Sequence, residues 1–332
     1  FISINPAMSA ERVSFTLAVH STFVIETPQQ GGRWLYSIFR NETYPVVART
    51  KDSQWIKLDP PGGWVMAELG TINGNLKDLP IYQEEEIGVI TAKANPLLFK
   101  GVPLTISAQA RNIYYRGLAN GNNPRAFSKI GDCNSVSPFF LVPFDVGEYR
   151  LGQYVYLQET INNFSGSFSR ESLAARIGFS TESIFDPLWS DPTLCNNENP
   201  LECEYRLHRP SIAFISLGTN GAWLTSDVYE KGMRHTLDFL IARGVLPILS
   251  TKADSLDDGR FNPIIIRLAQ EYDLPLWDFR SAVSDLENSG LSEDQYHLTW
   301  GQAYFDRPLY AAWQWRNLTA LQTLDVVWRN TK

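Results

Sequence analysis

Cys133, Asp294 and His297 have the residue types and the chain order for covalent acyl transfer. Cys133 follows Gly131-Asp132, which ends the short run Ala126-Phe-Ser-Lys-Ile130. A small nucleophilic side chain is therefore expected where a strand gives way to a tight turn. Near the other end of the chain stands Asp294-Gln-Tyr-His297, followed by Leu-Thr. A carboxylate beside an imidazole holds the ring in one tautomer, and the other ring nitrogen can then take a proton from a nucleophile. A thiol needs less help than a hydroxyl, since an ordinary Cys has a pKa of about 8.5; pairing with His297 is expected to lower it further. Sulfur is also larger than oxygen, and a misplacement of ~1 Å can cost about 100-fold in rate. Cys133 thus permits hydrolysis without guaranteeing it. It could instead be a small buried residue that packs the turn. Ser135 is an alternative nucleophile, two residues out of register. His208 and His235 lie outside any motif and are expected to be structural or solvent-facing, and His20 has no assigned role.

The elements that must position these residues fall in two groups. Val13–Val19, Thr22–Glu26, Tyr44–Thr50, Gln54–Leu58 and Gly63–Ala67 read as short strands broken by Gly, Pro and Asp. That close spacing predicts a small all-β barrel over residues 1–85. A linker is expected over 86–104, after the acidic start Gln83-Glu-Glu-Glu86. From 105 to 332 strands and helices alternate. Helices are predicted over 106–118, 226–242 (Ser226 as N-cap, Gly244 as stop), 261–272 and from Ala303 to about Leu318. Strands are predicted over 126–130, 211–217, 245–250 and 274–278. This is the pattern of an α/β fold with a parallel sheet covered on both faces. Chemistry in such folds gathers at the carboxyl ends of the strands, where the Gly131, Gly218 and Asp294 segments fall.

On these residues the 105–332 region resembles the SGNH, or GDSL-type, hydrolase superfamily. That resemblance implies a three-layer, flavodoxin-like α/β domain. Gly131-Asp132-Cys133 matches the Gly-Asp-Ser block with Cys in place of Ser. Gly218-Thr-Asn220 matches the Gly-x-Asn block, with Gly221 where an Asp usually follows. Asp294-x-x-His297 matches the last block. The resemblance implies a catalytic set of Cys133, His297 and Asp294. It also implies an oxyanion hole from the Cys133 N–H, the Gly166 N–H and the Asn220 amide, each donor typically worth ~3 kcal/mol. Asn220 could equally cap its own turn. The implied function is an ester or acyl hydrolase acting on a glycan- or lipid-linked acyl group, with no metal or organic cofactor. The departures at Cys133 and Gly221 favour a different reading, a surface or matrix module that keeps the fold for binding or assembly. The N-terminal segment resembles bacterial Src-homology-3-like domains through Tyr44–Thr50, Ser53–Leu58 and Gly62-Gly63-Trp64-Val65. That implies a role in binding cell-wall or other extracellular polymers, or simply packing against its neighbour.

The 332 residues suit one large domain and one small one, and 44% apolar with 20% charged residues describes a packed globular protein. A net charge of −7 without a basic stripe argues against nucleic acid as a partner. Ten Trp fit either exposed aromatic platforms or a Trp-rich β core. Cys195 and Cys203 bracket a polar, Pro-containing loop and are expected to form a local disulfide. Zinc is the alternative, with only His208 nearby. An oxidised pair would place the chain outside the cytoplasm, extracellular or in the cell envelope. The sequons at Asn41, Asn163 and Asn317 are candidate glycosylation sites. Opening on Phe1 is compatible with a removed leader or an upstream anchor, and no run of about 18 apolar residues is present.

Overall fold

A computed structural model describes residues 13–19, 21–25, 27–28, 34–59, 62–82 and 100–331. His20 and most of the expected linker lie outside the described residues. Contacts divide the chain into two units, Phe1–Ala94 and Asn95–Lys332.

The first unit is one antiparallel sheet of seven strands: β1 (Ser14–Leu17), β2 (Ser21–Ile25), β3 (Trp34–Phe39), β4 (Thr43–Arg49), β5 (Trp55–Leu58), β6 (Trp64–Met66) and β7 (Gly70–Asn73). Side chains in β1 and β5 alternate in burial, as the two-residue period of a strand requires. Phe15, Leu17, Ile56 and Leu58 point into a core with Val24, Ile38 and Val65. The expected closed barrel is not formed by the described residues. The order β3-β2-β6-β5-β4-β1-β7 leaves β3 and β7 each paired on one side only, whereas a barrel needs its two end strands to pair with each other.

The second unit is α/β. Its parallel sheet has the order β12 (Leu276–Trp277), β11 (Leu246–Ser250), β10 (Pro210–Ser216), β8 (Asn123–Gly131). All five residues of β11 and six of seven in β10 are buried, which requires cover on both faces. The helices are α1 (Ala108–Ala119), the short α2 (Cys133–Val136), α3 (Pro143–Val146) and α4 (Gln158–Asn163), then α5 (Pro200–His208), α6 (Ser226–Ala242), α7 (Phe261–Glu271), α8 (Phe279–Val283) and α9 (Ala312–Arg329). β9 (Tyr149–Arg150) and β13 (Ala303–Tyr304) pair separately. Beyond β8 the sheet gains a single parallel bridge. Gly131 N–H donates to Ala174 O (3.1 Å) and Arg176 N–H to Gly131 O (3.1 Å).

Three boundaries differ from expectation. α6 has the expected span, but its cap is Thr225, whose hydroxyl accepts from Val228 N–H. The last helix starts at Ala312 rather than Ala303. Pro308 disfavours helix just before it, while Thr299 Oγ1 and Gln314 Oε1 take the N–H groups of Ala312 and Ala311. Residues 100–104, expected as linker, sit against α8, where Asp278 N–H donates to Gly101 O (2.8 Å).

Candidate active site

The turn after β8 is built around Gly131. A Cβ there would collide with the Ser216 carbonyl and the Ser135 hydroxyl, so glycine alone lets the strands meet this closely. Ser135 is buried against that glycine and is not available as a nucleophile. Asp132, only 1% exposed, ties two turns together. Its Oδ1 accepts from Asn134 N–H (3.4 Å), and its Oδ2 accepts from the N–H groups of Gly218 (3.1 Å), Thr219 (2.9 Å) and Asn220 (3.2 Å). Burial pushes the Asp132 carboxyl up, against the pull of these donors.

Cys133 opens α2, half-buried, with Sγ 3.9 Å from Asp132 Oδ1. Burial first, and the Asp132 charge second, push its thiol up to about 12. This reverses the expected lowering. A carboxylate, not an imidazole, is the group next to the sulfur, and among the described residues no hydrogen bond joins Cys133 to His297.

His297 lies in the loop before α9, its side chain 58% exposed. Asp294 holds it from two directions. Oδ1 accepts from the N–H groups of His297 (2.9 Å) and Tyr296 (3.1 Å), and Oδ2 lies 2.6 Å from His297 Nδ1. These bonds, the His297 backbone N–H first, bring the Asp294 carboxyl down to about 2. An ionised Asp294 makes Nδ1 the protonated nitrogen and leaves Nε2 as the acceptor. The loop is anchored where Ser292 N–H donates to His297 O (2.7 Å) and Thr299 N–H to Gly290 O (2.9 Å). Beside it, Trp300 meets Phe139 edge-on at 6.1 Å, so the His297 loop and the segment after Cys133 pack together. Asn317 on α9 fixes that segment further, accepting from Leu141 N–H (2.7 Å) and donating to Phe139 O (2.8 Å). It is buried and fully engaged, so the expected sequon at Asn317 is closed to glycosylation. Asn41 is exposed and Asn163 half-buried.

Asn220 bridges the Cys133 turn and the Gly178 turn. Its Oδ1 accepts from Cys133 N–H (3.3 Å) and Gly178 N–H (2.8 Å). Two converging donors identify that atom as the amide oxygen, and a hydrogen bond from the Asn220 side chain to the Cys133 thiol works against the upward push of burial. Gly166 is not part of this arrangement. It lies in an exposed turn after α4, its N–H given to Asp145 Oδ1 (2.9 Å). Gly178, which the sequence did not single out, shares this oxygen with Cys133; it sits at φ +92°, three residues beyond the single bridge that extends the sheet. A Gly shortly after Ala174-Ala-Arg176 was the available signal, but a strand reduced to one bridge leaves no apolar run to find.

Charged groups lie buried below. Asp254 accepts from Thr219 Oγ1 (2.8 Å) and pairs with Lys252 Nζ (2.8 Å), which also meets Asp257 (2.5 Å). Arg316 of α9 donates to Ser216 Oγ (3.1 Å) and sits over the rings of Phe140, Trp277 and Phe279. Burial brings it down to about 10. Cys195 and Cys203 form the expected disulfide, joining the loop before α5 to the helix. His208 lies 3.7 Å from Glu204, and His235 stacks on Phe185 at 3.8 Å. Among the described residues no three His, Cys, Asp or Glu side chains are grouped to hold a metal ion, and no helix is long and apolar enough to cross a membrane.

No protein-family model matches this chain, and no curated protein does. Among solved structures it is similar to an acetyl xylan esterase from Geobacillus stearothermophilus, at 14% identity over 52% of this chain and 87% of that one, with a TM-score of 0.38. A GDSL-like lipase from Bacteroides thetaiotaomicron matches at 11% identity over 65% of this chain and 98% of that one, with a TM-score of 0.37. The psychrotrophic esterase EstA from Pseudoalteromonas sp. matches at 11% identity over 61% and 96%, with a TM-score of 0.39.

Proposed function

We propose that this chain is an ester or acyl hydrolase of the SGNH type, with Cys133 as nucleophile, His297 as general base and Asp294 as its orienting carboxylate. One observation carries this reading. Backbone N–H groups from two separate turns, Cys133 and Gly178, converge on one oxygen, the Asn220 Oδ1. An acyl oxygen entering that point as Asn220 turns aside would meet both N–H donors. With its thiol near 12, Cys133 reacts as a serine would. His297 Nε2 takes the thiol proton as Sγ attacks the carbonyl, once the exposed ring swings within reach. The alkoxide leaves with that proton as an alcohol, giving a thioester. Water, deprotonated by His297, then releases the acid and restores the thiol. The acyl group is borne on a glycan or a lipid. The Cys195–Cys203 disulfide supports an extracellular or envelope location.

A non-catalytic binding module is the second reading, favoured by the raised thiol and by Asn220 filling the oxyanion position. Hydrolysis of p-nitrophenyl acetate separates the two. The hydrolase reading expects Cys133→Ala and His297→Ala each to lose at least ~100-fold of the wild-type rate. Equal rates in all three proteins leave the binding module.

A further inference from the structure

Two opposite charges are buried near the nucleophile turn, and among the described residues neither has an ion-pair partner. Asp132 is 1% exposed and accepts from the backbone N–H groups of Asn134, Gly218, Thr219 and Asn220. Arg316 is 2% exposed, and its Nε has no hydrogen-bond partner. Its guanidinium donates from Nη2 to Ser216 Oγ (3.1 Å) and otherwise faces rings: Phe140 at 4.5 Å, Phe279 at 4.9 Å, Trp277 at 5.0 Å and Trp313 at 5.9 Å. Ring faces offset only part of what it costs to take a cation out of water. An apolar side chain would fill the same cage at lower cost, so the charge itself needs a reason.

Ser216 connects the two charges. It ends β10 in register with Gly131. Its hydroxyl takes the Arg316 hydrogen bond, and its carbonyl accepts from Asp132 N–H (3.4 Å). Burial brings the Arg316 guanidinium down to about 10, and the charges that resist this are Asp132, then Cys133, then Asp254. Arg316 is therefore within electrostatic reach of the carboxylate and the sulfur. The other buried cations among the described residues are engaged elsewhere. Lys252 pairs with Asp254 (2.8 Å) and Asp257 (2.5 Å), which leaves that group one negative charge in excess. Lys129 gives its ammonium to Phe168 O (3.0 Å).

We propose that Arg316 is a positioning residue for the nucleophile turn: it is the counter-ion that keeps the Asp132 carboxylate charged on the N–H groups of both turns, and it steadies negative charge forming on the Cys133 sulfur. The sulfur half rests on the hydrolase reading wherever it calls Cys133 a nucleophile; the pairing with Asp132 does not. Asp132 alone works against a thiolate, because like charges repel. A cation in reach of both offsets that repulsion and leaves the carboxylate free to clamp the Gly218 turn.

Arg316→Met keeps an apolar stem in the ring cage and removes the charge. At pH 7.5 it should lower the urea midpoint of the wild-type chain, and in an Asp132→Asn background it should lower it by roughly half as much or less. Iodoacetamide then reads the sulfur. In the Asp132→Asn chain, where no carboxylate at that position can titrate, Arg316→Met should slow alkylation of Cys133 roughly threefold or more. Arg316→Lys should recover most of that rate, whereas a packing role would affect both variants alike. Additive urea midpoints, an alkylation rate unchanged by Arg316→Met, or equal losses in the Met and Lys variants overturn the proposal. If Arg316→Met does not fold, Ser216→Ala takes its place: freeing the guanidinium from its hydrogen bond should slow alkylation, and an unchanged rate overturns the proposal. Slower alkylation in a chain that does not hydrolyse p-nitrophenyl acetate removes only the hydrolase reading. Hydrolysis with alkylation indifferent to Arg316 removes only the role of the counter-ion.

Discussion

Cys133 is the one cysteine outside the disulfide, so a thiol reagent reads it alone. Burial and the neighbouring Asp132 hold its thiol at about 12, against 9.0 for an unperturbed cysteine. At pH 8 an ordinary thiol is ~10% ionised and this one ~0.01%, and only the thiolate reacts. Iodoacetamide should therefore alkylate the native protein ~1,000-fold more slowly than the same protein in urea with its disulfide intact. The native rate should climb about tenfold per pH unit from 8 to 11, without a plateau. Asp132→Asn, which removes the second cause, should raise the native rate at pH 8. A plateau below pH 8, or a native rate within about tenfold of the unfolded one, would refute the reasoning, because it would mean a thiolate is already formed beside an imidazolium. The shift also carries a stability sign. The folded chain holds this proton more tightly than the unfolded chain, so the contribution is present below about pH 9 and is lost as pH rises towards 12. Cys133→Ala should flatten that part of a urea-midpoint profile against pH.

Cys133→Ser should hydrolyse p-nitrophenyl acetate at least as fast as the wild type, since the turn and both N–H donors belong to the backbone; a slower serine variant counts against an ester-shaped site. Asp132→Ala strips the acceptor from the N–H groups of Gly218, Thr219 and Asn220. At ~1–3 kcal/mol per unsatisfied buried group it should lower urea stability by at least ~3 kcal/mol, and a loss below ~1 kcal/mol would show that this carboxylate does not tie the two turns. Opening the Cys195–Cys203 bridge with Cys195→Ser should cost about 2–3 kcal/mol by loop entropy. An unchanged Tm would contradict that estimate.

Much of the second unit was legible in the chain itself. The apolar runs that become β10 and β11 and the long periodic stretch of α6 need only local pattern, because burial on both faces or on one stripe dictates side-chain spacing. The first unit was less so. Its strands were recognisable one by one, but whether they close into a barrel depends on which edges pair, and alternation says nothing of that. The start of α9 was misplaced because its cap comes from Thr299, thirteen residues upstream.

By itself the sequence determined the groups whose relation is short-range: an Asp three residues from a His, two cysteines eight apart, and a Gly-Asp-Cys at a strand end. Only the tertiary structure decided that Gly178 rather than Gly166 shares Asn220 Oδ1 with Cys133, that Asn317 is sealed on α9, and that Asp254, Lys252 and Arg316 are buried. It also decided the state of the thiol. A cysteine's type sets its reference acidity, but depth from water and the sign of the nearest charge set the rest, and both come from residues far apart in the chain.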